Sequence, residues 1–199
     1  MYKSCKTEQS ARRQREIEEK FIQMLAIRHF DEIKIADLCA ELNIPRKAFY
    51  RYFESKESVL KASIDHILLG YEVYRSNSSP TPRRTVSSEL ERYFEFWLTK
   101  PRVTLLNGLK KSGLFGHLIQ GSFECIGQMS GLEKFTDPHH SSWIQLQVFQ
   151  FAITGLITMM LHWFNRGFKE TPREMATAAK TILSSPLFPN LEVHGIINE

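Results

Sequence analysis

Two short apolar stripes separated by Asn43-Ile44-Pro45 constrain this chain more than any other feature of it. Ile35, Leu38, Cys39 and Leu42 fall at i, i+3, i+4 and i+7, the pattern of a helix buried along one side. Asn43 follows at once, and asparagine is the residue other than glycine that best tolerates the left-handed conformation closing a helix. Pro45 cannot sit in a helix interior but suits the first turn of a new one. A second short helix then closes on Phe49, Tyr52 and Phe53. Residues 35–53 therefore predict a helix-turn-helix.

Helical periodicity accounts for the rest of the chain as well. Ile17, Phe21, Met24 and Leu25 predict an amphipathic helix over about 9–29, with Phe30 folding back as a plug of the core. Ser55 is placed to cap a fourth helix running to about residue 75. The segment "SNSSPTPRR" then interrupts every periodic pattern and marks a boundary. Further helices are expected over 86–100, stopped by Pro101, and over 102–111, 114–130, 142–166 and 171–184, the last opened by Thr171-Pro172. The expected fold is all-α. Its parts are a helix-turn-helix head over 1–55, a connecting helix over 56–78 and a C-terminal domain over 79–199.

Charge narrows the function without locating it. The net charge of +4 is compatible with a polyanionic partner. Yet 14 basic and 12 acidic residues precede Ser76, and 12 and 10 follow, so the excess is shared evenly. Local clustering is more informative: Arg46, Lys47, Arg51 and Lys56 face only Glu54 between Ile44 and Lys56. No nucleophile-base pair, phosphate-cradling glycine loop or metal signature argues for an enzyme, and no cofactor is expected. Cys5, Cys39 and Cys125 are far apart and form no CxxC, so they read as reduced thiols. "DPHH" at 137–140 reads as a surface loop before it reads as a metal site. The charged opening segment argues against a signal peptide, and the glutamines, His162 and Asn165 within 142–166 argue against a bilayer span. A cytoplasmic location is the corresponding expectation.

The major groove of DNA admits one helix, whose first residues reach the base edges. Arg46 and Lys47 hold those positions, and the arginine fork matches guanine O6 and N7. Tyr50 and Tyr52 carry hydroxyls on rigid rings suited to phosphates, Arg51 adds charge, and Lys56 opens the next helix where phosphate is favoured.

The segment "KIADLCAELNIPRKAFYRYFESKESVL" resembles the DNA-binding segment of the TetR family of transcriptional regulators. Ile35, Leu38, Ile44, Phe49, Tyr50, Tyr52, Phe53, Ser55, Lys56, Glu57 and Leu60 carry the resemblance, which extends over about residues 10–70. Asn43 stands where the family usually has glycine, Pro45 where it has serine, and Ala48 where a threonine commonly contacts phosphate. The resemblance implies a homodimer joined by its last two long helices, a palindromic double-stranded operator, and a small-molecule effector pocket in the second domain. Phe94, Trp97, Leu106, Leu109, Phe123, Met159 and Trp163 are the candidate lining residues of that pocket. Most members of the family repress. The implied function is a repressor that an effector releases from its operator, and the rival reading is an adaptor working through a partner protein.

Overall fold

The computed structural model of the protein describes residues 7–77, 85–126 and 143–184. Nine α-helices occupy these residues: α1 Glu8–Ile27, α2 Ile35–Glu41, α3 Arg46–Phe49, α4 Lys56–Asn77, α5 Val86–Trp97, α6 Lys100–Ser112, α7 Phe115–Ile126, α8 Trp143–Asn165 and α9 Pro172–Leu183. A 3-10 turn, Phe30–Glu32, links α1 to α2. The described residues form an all-helical fold, as the periodicity predicts. Cys5, Met129 and the "DPHH" segment lie outside them.

Helix ends follow from a few local choices. Asn43 has φ 49°, its N–H donates to Ala40 O and that of Ile44 donates to Cys39 O, both at 3.0 Å. This paired closure, a Schellman end, satisfies two carbonyls that α2 would otherwise leave open. Gly113 (φ 68°) closes α6 in the same way, with Leu114 N–H on Leu109 O, and Gly167 (φ 78°) closes α8 with Phe168 N–H on Trp163 O. Thr171 and Glu174 form a reciprocal capping box at the start of α9, and the backbone and hydroxyl bonds from Thr171 hold the Glu174 carboxyl below its usual range. Two sequence expectations shift. Pro45 caps α3 from outside instead of occupying its first position. Pro101, expected to stop the preceding helix, lies in the first turn of α6, because α5 has already ended at Trp97.

By contact the chain divides into two compact units, residues 1–68 with 100–121, and residues 69–99 with 122–199. In the first, Ile17, Phe21 and Leu25 of α1 are fully buried at i, i+4 and i+8. Phe49 and Phe53 and, from α6, Leu105, Leu106 and Leu109 are buried in the same unit. Helix α6 packs along α1 closely enough that a Cβ on Gly108 would stand 2.7 Å from Leu25 Cγ. This packing cuts across the three-part order of the sequence reading, because α6 returns to the head after α5. In the second unit α5 packs on α9, with Phe94 edge-on to Trp163 at 5.6 Å, and Trp163 Nε1 donates to Glu170 O at 2.9 Å.

Helix α8 contains a stretch, Gln147–Asn165, long and apolar enough to cross a membrane by length and composition alone. Its sequence predicts burial on two sides. Among the described residues of α8, Phe149, Ile157, Met160, Trp163 and Phe164 are buried, while Trp143 is 74% and Phe151 55% exposed.

Candidate DNA-binding site

Helix α3 is one turn long and continues as overlapping turns, with Tyr50 N–H on Arg46 O, Tyr52 N–H on Phe49 O and Phe53 N–H on Phe49 O. Helical spacing thus sorts its side chains onto two faces. Phe49 and Phe53, four residues apart, are completely buried and anchor the turn to the core. Arg46, Lys47, Tyr50 and Arg51, at i, i+1, i+4 and i+5, are all exposed on the other side. Tyr52 is half-buried and Ala48 lies between the faces. Four of the six residues singled out from sequence therefore share one outward face. Tyr50 packs edge-on against Phe49 at 5.4 Å, which stiffens a ring left 44% exposed.

Helix α2 supports this face from behind. Leu38 and Cys39 are buried, and burial pushes the Cys39 thiol up, with the nearby Arg46 charge partly offsetting the rise. The thiol is thus a packing group, as its place on the stripe implies. Ser55 and Ser58 bind reciprocally at the start of α4: Ser58 N–H donates to Ser55 Oγ at 3.3 Å and Ser55 N–H to Ser58 Oγ at 3.1 Å. Ser55 also holds the Glu57 carboxyl below its usual range.

Lys56 is placed differently from its expected role on phosphate. Its Nζ donates to Phe30 O at 2.9 Å and to Asp31 O at 3.3 Å, and stands 4.5 Å from the centre of the Phe30 ring. The reason is positional: at the first residue of α4 its stem lies over the 3-10 turn, whose carbonyls point outward. Lys56 ties α4 to the α1–α2 connection. The sequence shows the lysine but not the carbonyls that wait for it.

The same turn is held from a second direction that the sequence reading did not find. Phe30 N–H donates to Ser112 Oγ at 3.0 Å, and Lys111 Nζ donates to Ile27 O at 2.5 Å. A basic residue in the last turn of α6 is a visible signal, but its partner across the fold is not. Deeper in this unit the carboxylate of Glu18 meets His66 Nδ1 at 2.7 Å, joining α1 to α4.

The candidate effector residues do not come together as one set. Phe94, Trp97 and Trp163 are buried in the second unit, whereas Leu106 and Leu109 belong to the core of the first, on the helix that packs along α1. Met159 is half-buried and Phe123 is 37% exposed. Side-chain type alone marked these residues, and it does not distinguish one core from another. The second unit also holds the buried Tyr93 Oη and Trp97 Nε1, whose rings meet edge-on at 6.4 Å. Burial pushes both the Tyr71 and Tyr93 hydroxyls well above their usual range.

The described residues are all helical and present a helix-turn-helix with two arginines, a lysine and a tyrosine on one outward face, an arrangement suited to DNA. Residues 22–63 match the family profile of the bacterial regulatory proteins, tetR family. A crystal structure of a tetR-family transcriptional regulator from Streptomyces coelicolor is similar in fold, with a TM-score of 0.51 at 17% identity over 85% of this chain and 77% of that one. Curated proteins provide no sequence match. Residues 22–63 of the head thus carry the pattern of the tetR family of regulatory proteins, and the fold of the chain is similar to that of a tetR-family regulator.

Proposed function

We propose that the protein is a homodimeric, cytoplasmic repressor that reads a palindromic operator and is released by a small-molecule effector. The observation that carries the DNA reading is the outward face of α3, where Arg46, Lys47, Tyr50 and Arg51 stand exposed while Phe49 and Phe53 fix the turn from behind. Arg46 and Lys47 read base edges. Tyr50, Arg51 and Tyr52 contact phosphate, and Lys56 shapes the head from within. The exposed Trp143 of α8 supports a dimer, since a second copy of the helix would cover it. Two heads on such a dimer sit about 34–36 Å apart, one turn of the duplex, so the half-sites form a palindrome. The buried aromatic groups of the second unit, Phe94, Trp97 and Trp163, support an effector with a flat apolar body. An effector acts only through its different affinity for the DNA-competent and incompetent conformations.

Selection of random-sequence duplex DNA by the purified protein tests this reading, with Arg46→Ala/Lys47→Ala as the control. The expected result is enrichment of a palindromic site that the control loses. No enrichment by folded dimer would sink the DNA reading and favour the adaptor.

A further inference from the structure

The backbone of Phe30 is gripped from both sides. Its carbonyl accepts from Lys56 at the start of α4, and its N–H donates to Ser112 at the end of α6. We infer that Ser112, seconded by Lys111, is a positioning residue for DNA recognition, acting through the 3-10 turn Phe30–Glu32 that leads into α2. This inference rests on the DNA-binding reading of α3.

Several features converge on the assignment. The Schellman end at Gly113 uses backbone groups alone to close α6, so the Ser112 hydroxyl is left to serve another segment. Gly108 fixes how near α6 lies to α1, because any Cβ there would meet Leu25. The hydroxyl therefore arrives at a defined place. Ile27 ends α1, and its carbonyl is one of those a helix cannot satisfy internally, so Lys111 supplies a cap from outside. The turn has its own order as well: Glu32 accepts from His29 N–H at 3.0 Å, and Asp31 N–H donates to His29 Nδ1 at 3.4 Å. What the turn lacks locally is a partner for Phe30 N–H, and α6 provides it. Since α2 begins only three residues after Glu32, with Leu38 and Cys39 backing α3, the angle of the turn sets the angle at which Arg46 and Lys47 are offered. A contact made by the last residue of α6 thereby fixes the reading face, although Ser112 touches no DNA.

The test uses full-length protein and the duplex obtained by selection. Ser112→Ala should speed exchange of the Phe30 amide in free protein by about fivefold and weaken duplex binding by a similar factor, the worth of one ordinary hydrogen bond. Ser112→Thr keeps the hydroxyl and should restore both. Lys111→Met is the second variant, and it should weaken binding while leaving the dependence on salt unchanged. A phosphate contact would instead lower that slope by about one. Unchanged Phe30 exchange or unchanged affinity in Ser112→Ala overturns the assignment, as does a reduced salt slope in Lys111→Met. Should the wild-type chain select no duplex at all, the DNA reading itself is overturned. The two failures are told apart because amide exchange is read without DNA.

Discussion

Lys56 holds two carbonyls and an aromatic face at once, and its removal has a computable consequence. Lys56→Met keeps most of the apolar stem but strands Phe30 O and Asp31 O without their charged donor. Hydrogen bonds to charged groups contribute about 1.5–3 kcal/mol, and a half-exposed one falls at the low end, so the expected loss of stability is about 1–2 kcal/mol by chemical denaturation. The salt slope of DNA binding should stay unchanged; a fall of about one would return Lys56 to the phosphates. At this scale the sequence was informative about residue type and silent about partners. Arg46, Lys47, Tyr50 and Arg51 were legible because their spacing fixes their face, which is a local property. Lys56 and Ser112 were not, because their partners lie 26 and 82 residues away.

The elements show the same division between local and distant causes. Asn43 ends α2 where its tolerance of positive φ requires, and Thr171-Pro172 opens α9 with its capping box, both readable from a few adjacent residues. Pro101 was misread because a proline that ends one helix and one that starts the next look alike when the gap is this short. Pairing of α6 with α1 could not be read from periodicity, which tells that a face is buried but not against what. Gly108 and, as its open counterpart, Gly70 make that pairing testable. At Gly108 an added methyl meets Leu25 Cγ at 2.7 Å and the Leu25 backbone carbon at 3.0 Å, and backbone cannot step aside. Overpacking of this kind costs about 1–3 kcal/mol, more than the gain in helix propensity of about 1 kcal/mol offsets, so Gly108→Ala should unfold earlier in denaturant. Gly70→Ala, inside α4, meets nothing within 4 Å and should be neutral or stabilising by up to about 1 kcal/mol. Equal losses at the two sites would show that the α1–α6 approach is not tight.

For the whole molecule, the proposed dimer depends on the part of α8 that carries the exposed Trp143. Trp143→Glu places a charge there at a side chain that is 74% exposed. It should sediment as a monomer at concentrations where the wild-type protein is a dimer, with its helical content intact. An unchanged dimer would move the interface elsewhere. The all-helical class and the head were legible at this scale because periodicity and one specific motif suffice for them. The composition of each core was not.

The first unit also fixes an order of events in the life of the chain. Its core is written in two instalments, residues up to 68 and then 100–121, with the segment Leu69–Thr99 spooled out between them. On the ribosome, α1 emerges long before α6, and Phe21 and Leu25 stay uncovered while that intervening segment is made. Joining the two instalments then requires closing a loop, whose entropic cost must be met before the core returns anything. The stretch that carries the family motif, 22–63, is therefore complete as a pattern and incomplete as a folding unit. A nascent chain that already bears Arg46, Lys47, Tyr50 and Arg51 has no finished head to hold them until the ribosome has passed Ser112.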